Sequence, residues 1–528
     1  MYCMPENTLR RLVEHHGSKV ICQGRRGIEK ESLRVSRADG SLALTDHPPA
    51  LGSALTHPFI TTDFAESLLE FVTPALTDNT RAIRFLEDLH RFTLEHLQGE
   101  TLWPCSMPCG FANDARIPLA RYGPSNIGQM KTVYRRGLGL RYGRVMQTIA
   151  GVHFNYSLPR ELWPLLRELS GEKHNAREFQ NACYFALVRN FKRVSWLILY
   201  LFGSSPAVCK SFFQGASGGL EELDDMTAGG RYATSLRMSD IGYSNNAQSS
   251  LNISVNSLDE YVAGLVRAIS TPHAPYEKIG LYEGDKRLQI STNILQISNE
   301  FYSVVRPKRV ARSGEKPTVA LRTRGVEYVE IRSLDIDPFA PVGVNQKQLD
   351  FVECLLIHCA LTSSPAISPV EQVDIATNDN LVALRGREPG LLLQRGGATI
   401  AMHDWAQRIL EQVVEVAEYL DTQQSDTRYQ DAVEHQLDVV NTLDATPSAR
   451  VLQALHDDDV SYHEFGMRCA SANSSYLQEH TQLSAQTRES LVDISQQSHQ
   501  KAREVEAADS GSFEDYLARF FAQTSSGK

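Results

Sequence analysis

The chain is 528 residues long, room for two ordinary domains or for one large core with an extension. With 42% hydrophobic and 22% charged residues it has a globular composition, which excludes disorder on a large scale. Its net charge of −10 argues against a general nucleic-acid binder, because such proteins need a basic field to displace counterions from phosphate.

The first residues, Met1-Tyr-Cys-Met-Pro-Glu-Asn7, lack the basic and apolar regions of a secretory leader. The most apolar run, Trp196–Phe202, is far short of the ~20 residues that span a bilayer. Together these predict a cytoplasmic protein with no membrane partner. The nine cysteines are scattered and include no C-x-x-C pair, which predicts mostly reduced, buried thiols; Cys105-x-x-x-Cys109 is the nearest approach to a metal or redox pair.

Residues 5–17 read as a short helix. Gly27–Val35 reads as a strand ending at the turn Ala38-Asp-Gly40. The segments 59–64 and 68–73 read as two strands, the second stopped by Pro74, and Arg81–Gln98 as an amphipathic helix. Met146–Leu158 alternates as a strand does, residues 176–202 and 257–269 are helical in pattern, and Val319–Leu334 is a strand broken at Gly325. Helices and strands do not alternate regularly, so the predicted class is α+β with a mostly antiparallel sheet. From about residue 401 the pattern turns helical, over 401–423, 430–443, 449–455 and 483–508, with a last helix over 513–521 behind Ser512 as N-cap. The predicted division is a catalytic domain over 1–400 and a helical extension over 401–528 packed on it and carrying no cluster of reactive groups.

The groups that carry chemistry lie in the first part. Glu29 and Glu31, two apart on a strand, share one face; alone they read as a solvated edge. Asp63, Glu66 and Glu70 would align on a helix, but their neighbours favour two strands with a turn. His153 and Asn155 share a strand face, as do Glu330 and Arg332, while Glu327 points away. Singly, these are a core histidine and an intrastrand ion pair. If the strands are neighbours, however, the carboxylates converge, and two unit charges ~4 Å apart repel by roughly 4 kcal/mol at an effective dielectric of 20. Such a gathering requires cations. Oxygen-rich sites suit magnesium or manganese, and an arginine beside them suits a phosphoryl group. The basic stretch Arg306-Pro-Lys308-Arg309, read as a turn, adds to this. No Walker loop and no G-x-G-x-x-G occurs, so a nucleotide must be held through metals, arginine and lysine. Gly215-Ala-Ser-Gly-Gly219 fits the nucleophile-elbow pattern but follows no clear strand and reads as a glycine loop. The pattern points to metal–nucleotide phosphoryl transfer.

Several of these stretches resemble proteobacterial glutamate–cysteine ligases: Gly27-Ile-Glu-Lys-Glu-Ser-Leu-Arg-Val35, Leu51-Gly-Ser-Ala-Leu-Thr-His57, Ile60-Thr-Thr-Asp-Phe-Ala-Glu66 and Leu102-Trp-Pro-Cys-Ser-Met-Pro108. So do Gly151-Val-His153, Tyr232-Ala-Thr-Ser-Leu-Arg-Met-Ser-Asp240, Arg306-Pro-Lys-Arg309 and Val329-Glu-Ile-Arg-Ser-Leu-Asp335; beyond about residue 360 the likeness thins. The resemblance implies a glutamine-synthetase-like fold whose curved antiparallel sheet forms a funnel-shaped active site. It implies metal binding by Glu29, Asp63, Glu70, His153 and Glu330, with Glu31 nearby. Glu330 and Arg332 would be catalytic, with Arg332 on the transferring phosphoryl group and Lys308 on nucleotide phosphates. Phe64, Tyr134, Arg237, Tyr243 and Tyr302, with Gln147 close by, would hold cysteine. The implied activity joins L-glutamate to L-cysteine with ATP and Mg2+ or Mn2+, in a monomer subject to feedback by glutathione. The alternatives are a ligase or phosphoryl-transfer enzyme of the same fold with another amine acceptor, and a metal-binding regulatory protein.

Overall fold

The computed structural model describes residues 7–16, 18–110, 114–173, 175–242, 251–422 and 426–523. Seven strands form the central sheet: β1 (Arg25–Ser36), β2 (Ile60–Thr62), β3 (Leu68–Val72), β4 (Glu100–Leu102), β5 (Val152–Ser157), β6 (Val305–Lys308) and β7 (Tyr328–Leu334). Their spatial order is β6-β7-β5-β1-β3-β2, with β4 paired to the far end of β1, and every pairing is antiparallel. The predicted α+β class with an antiparallel sheet is what the chain forms.

Alternation along the strands divides the sheet into two chemically different faces. Ile28, Leu69, Phe71, Phe154, Val329 and Ile331 turn to one side and are fully buried. Helix Ala176–Phe202 packs on β6 and β7 and against helix Gln346–Leu361, which in turn meets helix Asn79–His96. An ion pair locks this layer: Arg26 meets Glu353 with both side chains essentially unexposed. Asn79 Nδ2 donates to Glu353 at 2.9 Å and Tyr429 Oη at 3.1 Å. A single apolar cluster runs through Val352, Leu410, Val433 and Leu491, so the same core continues across residue 400.

Several elements differ from the sequence reading. Residues 317–324 form a helix, not the first half of a strand: Pro317 sits in its first turn and Gly325, at φ 76°, ends it. The basic stretch at 306–309, expected as a turn, is mostly strand β6, because Arg306 and Lys308 pair with Glu330 and Tyr328 across sequence. Met146–Thr148 is a 3₁₀ turn leading to β5. Tyr462–His480 is a helix that the reading missed, although Ser461 and Glu464 form a capping box. Cys109 is bonded to Cys209, with their Cα atoms 5.4 Å apart, a pairing that the spacing did not indicate, while Cys22, Cys105, Cys183, Cys354, Cys359 and Cys469 are free, in line with mostly reduced thiols. No helix among the described residues is long and apolar enough to cross a membrane.

Candidate active site

The other face of the sheet is acidic. Register places Glu29 opposite His153, Glu31 opposite Glu70, and Glu330 opposite both Asn155 and Arg306. Residues paired across an antiparallel sheet share a face, so five strands deliver these groups to one place. Ligand atoms of Glu29, His153 and Glu330 all lie within 4.8 Å of one another. Lys308 Nζ donates to Glu330 at 3.0 Å and Arg332 Nη1 at 3.3 Å. Asn155 Nδ2 donates to Glu29 at 2.8 Å, and Gly151 N–H to Glu31 at 2.8 Å. Gly151 must lack a side chain, since a Cβ there would meet Arg237 Nη2 at 2.1 Å.

The carboxylates hold their protons differently. Burial raises Glu31 to about 7, with the Asp63 charge adding to it. Burial, then the charges of Glu29, Asp63 and Glu31, pushes Glu70 well above the usual carboxylate range. At Glu330 burial also acts upward, but Lys308 and Arg332 outweigh it and hold the group well below that range. At Glu29 burial and the Glu330 charge act upward, but the hydrogen bond and charge of His153 together with Lys308 outweigh them, leaving a net downward shift. Burial and Arg332 lower His153, so its imidazole is neutral and available as a ligand. This donor set fits a hard divalent cation: clustered carboxylates, a neutral imidazole, and the buried Asn155 Oδ1, which has no hydrogen-bond partner among the described residues.

Two cavities meet at Glu29. The first, about 480 Å³, is walled by the acidic face together with Asp63, Tyr134, Gln147, Tyr302, Lys308 and Arg332. The second, about 1230 Å³, lies at the other end of the strands, past Asn155 and Tyr328, with Arg25, Arg160 and Arg309 around it. Thus Glu29, Glu31, Asp63, Glu70, His153, Glu330, Lys308 and Arg332 are brought together with Tyr134, Gln147 and Tyr302. Two expected cysteine contacts are placed otherwise. Phe64 is buried in the core and is no wall of the cavity. Arg237 lies beneath it, donating to the Arg332 carbonyl at 2.8 Å and pairing with Asp335 at 3.5 Å. Tyr243 lies outside the described residues.

The family model described as glutamate–cysteine ligase matches residues 9–382, more than half of the chain. The chain belongs to the glutamate–cysteine ligase family. It is 46% identical over 524 residues to the glutamate–cysteine ligase of Alcanivorax borkumensis, covering 98% of this chain and 99% of the relative. The Pseudomonas aeruginosa ligase is likewise 46% identical, over 94% of this chain and 93% of that one. Among solved structures, the Francisella tularensis glutamate–cysteine ligase in complex with AMP superposes with a TM-score of 0.89 at 37% identity, covering 94% of this chain and 97% of that one. A bifunctional glutathione synthetase from Pasteurella multocida gives 0.71 at 25% identity, over 89% of this chain but 55% of that one.

For a member of this ligase family, the cavity holds groups that sequence reasoning passed over. Lys131 and Arg135, one turn apart on helix Asn126–Tyr142, line it, and both cations lie over the Tyr122 ring. Burial lowers Lys131 to about 8. Their i, i+4 spacing was readable, but nothing local said that this helix faces Asp63 and Glu70. Tyr142 donates to Glu300 at 2.6 Å and Arg141 pairs with Glu300 at 3.0 Å, fixing another stretch of wall.

Proposed function

We propose that the chain joins the γ-carboxylate of L-glutamate to the amine of L-cysteine with hydrolysis of ATP, forming γ-glutamylcysteine through a γ-glutamyl phosphate. The observation that carries this reading is the meeting of Glu29, His153 and Glu330 within 4.8 Å, with Arg332 and Lys308 on Glu330, in a chain of this family. Glu29, His153 and Glu330, with Glu31, Asp63 and Glu70 around them, hold the divalent cations, magnesium or manganese. Bound there, the cations neutralise phosphate charge. ATP enters through the 1230 Å³ cavity, whose arginines suit its phosphates and whose size suits the nucleoside. The two amino acids occupy the 480 Å³ cavity.

The residues act mainly by position and charge. Arg332, oriented by Glu330 at 3.3 Å, stands ready for the phosphoryl group as it passes from ATP to the glutamate carboxylate. Lys308, tied to the same carboxylate, reaches the nucleotide phosphates. The cysteine amine then attacks the acyl phosphate and inorganic phosphate leaves. Holding the three substrates in line replaces a termolecular encounter with an intramolecular one. The reading includes a monomer in the cytoplasm and feedback inhibition by glutathione.

One assay tests it: phosphate and γ-glutamylcysteine are followed with each substrate omitted in turn. Stoichiometric formation of both, requiring ATP, glutamate, cysteine and a divalent cation, is expected. Phosphate release without cysteine-dependent product, or product with another amine only, overturns the assignment.

A further inference from the structure

The C-terminal helix Phe513–Ala522, about 180 residues past the sheet, reaches the amino-acid cavity. Tyr516 and Phe520, one turn apart and half-buried, form part of its lining. Between them the helix inserts Leu517, which is buried with Met130, Val133 and Ile290 in a cluster apart from the main core. Tyr134 and Ile297, also cavity walls, pack on that cluster.

Polar contacts fix the helix at both ends. Glu514 pairs with Arg287 at 2.5 Å. At the other end Lys316 Nζ donates to the Phe521 carbonyl at 2.7 Å and lies over the Phe520 and Phe521 rings. Gln523 Nε2 donates to the Gly314 carbonyl at 2.7 Å and Gln523 Oε1 accepts from Lys316 N at 2.9 Å. The helix therefore also holds the loop whose Gly314 and Glu315 line the same cavity. The helix's four aromatic side chains, Phe513, Tyr516, Phe520 and Phe521, pack on the Leu517 cluster, and Tyr516 and Phe520 also reach the cavity.

Chemistry says what this wall is for. Ionic lining comes from the sheet, from Asp63 and from Lys131 and Arg135, while Tyr516 and Phe520 contribute to an apolar lining shared with Met130, Tyr134, Ile297 and Tyr302, among others. Glutamate and the phosphoryl group carry charge at each functional end and need the ionic part. The weakly polar surface left to accommodate is the side chain that distinguishes one acceptor amino acid from another. We propose that Tyr516 and Phe520 determine acceptor specificity by limiting the length of side chain that the cavity admits. This rests on the ligase reading above.

The test compares L-cysteine, L-2-aminobutyrate and L-norvaline as acceptors, with ATP, glutamate and Mg2+, in the full-length parent and in Phe520→Ala, Phe520→Leu, Phe520→Trp and Tyr516→Ala. One methylene in an apolar pocket is discriminated by about tenfold or more. Phe520→Ala is therefore expected to raise kcat/KM for norvaline relative to cysteine about tenfold, and to raise KM for cysteine while KM for ATP stays within about twofold. Phe520→Leu should fall between, and Phe520→Trp should tighten the preference; these two decide the matter if the alanine variant does not fold. Acceptor ratios within twofold of the parent in all folded variants would overturn the proposal. A parent that ligates another amine sinks the function reading, while the variants' ratios with that amine still decide this one.

Discussion

Removing the charge of Glu330 while keeping its shape probes the centre of the site. The side chain is about 1% exposed and ion-paired to Lys308 at 3.0 Å and to Arg332 at 3.3 Å. At those separations each pair interacts by about 5 kcal/mol at an effective dielectric of 20, and water around the partly exposed cations screens some of it. Glu330→Gln keeps a hydrogen-bond acceptor for both cations but frees Arg332 from its orienting charge and removes one carboxylate from the trio with Glu29 and His153. Loss of one preorganised electrostatic contact typically slows turnover by about 10²–10³-fold, or ~3–4 kcal/mol. Folding should lose only about 1–2 kcal/mol, since each cation reaches water. Steady-state phosphate release gives kcat, and the same preparation is melted by circular dichroism. The half-activating Mg2+ concentration should also rise. A kcat within threefold of the parent would refute the placement, and a collapse of the melting transition would make Glu330 a structural residue instead.

Arg332→Lys should lower kcat by at least about tenfold with little change in melting, because an ammonium cannot make the planar two-donor contact; equal rates would count against its role. Glu353→Gln should destabilise the fold by about 3–5 kcal/mol, since it strips the fully buried Arg26 of its partner; an urea midpoint near the parent's would contradict this. The third concerns acid. His57 Nδ1 accepts from Phe59 N at 3.1 Å and Ile60 N at 2.8 Å, so the ring cannot take a second proton without breaking the start of β2. Burial lowers its pKa to about 4, followed by His499. The unfolded chain binds this proton from about pH 6.5 downward and the native chain does not, so stability is lost as pH falls from 6.5 to 4, by about 2 kcal/mol at pH 5. His57→Asn keeps an acceptor that does not titrate and should flatten that part of the stability profile measured between pH 7 and 5. An unchanged slope would show that the proton goes elsewhere.

Local sequence determined much of this protein. The i, i+2 spacing of Glu29 and Glu31, of His153 and Asn155, and of Glu330 and Arg332 was enough to put each pair on one strand face, because side chains alternate with a period of two. Apolar periodicity found the helices over 81–98, 176–202 and 401–423 to within a few residues, and Ser512 as N-cap marked the start of the last helix. What local pattern could not hold was pairing. Arg306 and Lys308 became strand only because β7 offered its edge, and residues 317–324 became helix where apolar alternation also fitted a strand. Cys209 found Cys109 across 100 residues. Whether the strands bearing Glu29, Glu70, His153 and Glu330 are neighbours, whether Lys131 and Arg135 face them, and whether a helix ending at residue 522 lines the cavity are questions of tertiary contact. Those contacts are chosen by burial of one continuous core, which joins residues hundreds of positions apart and leaves no local periodicity to read.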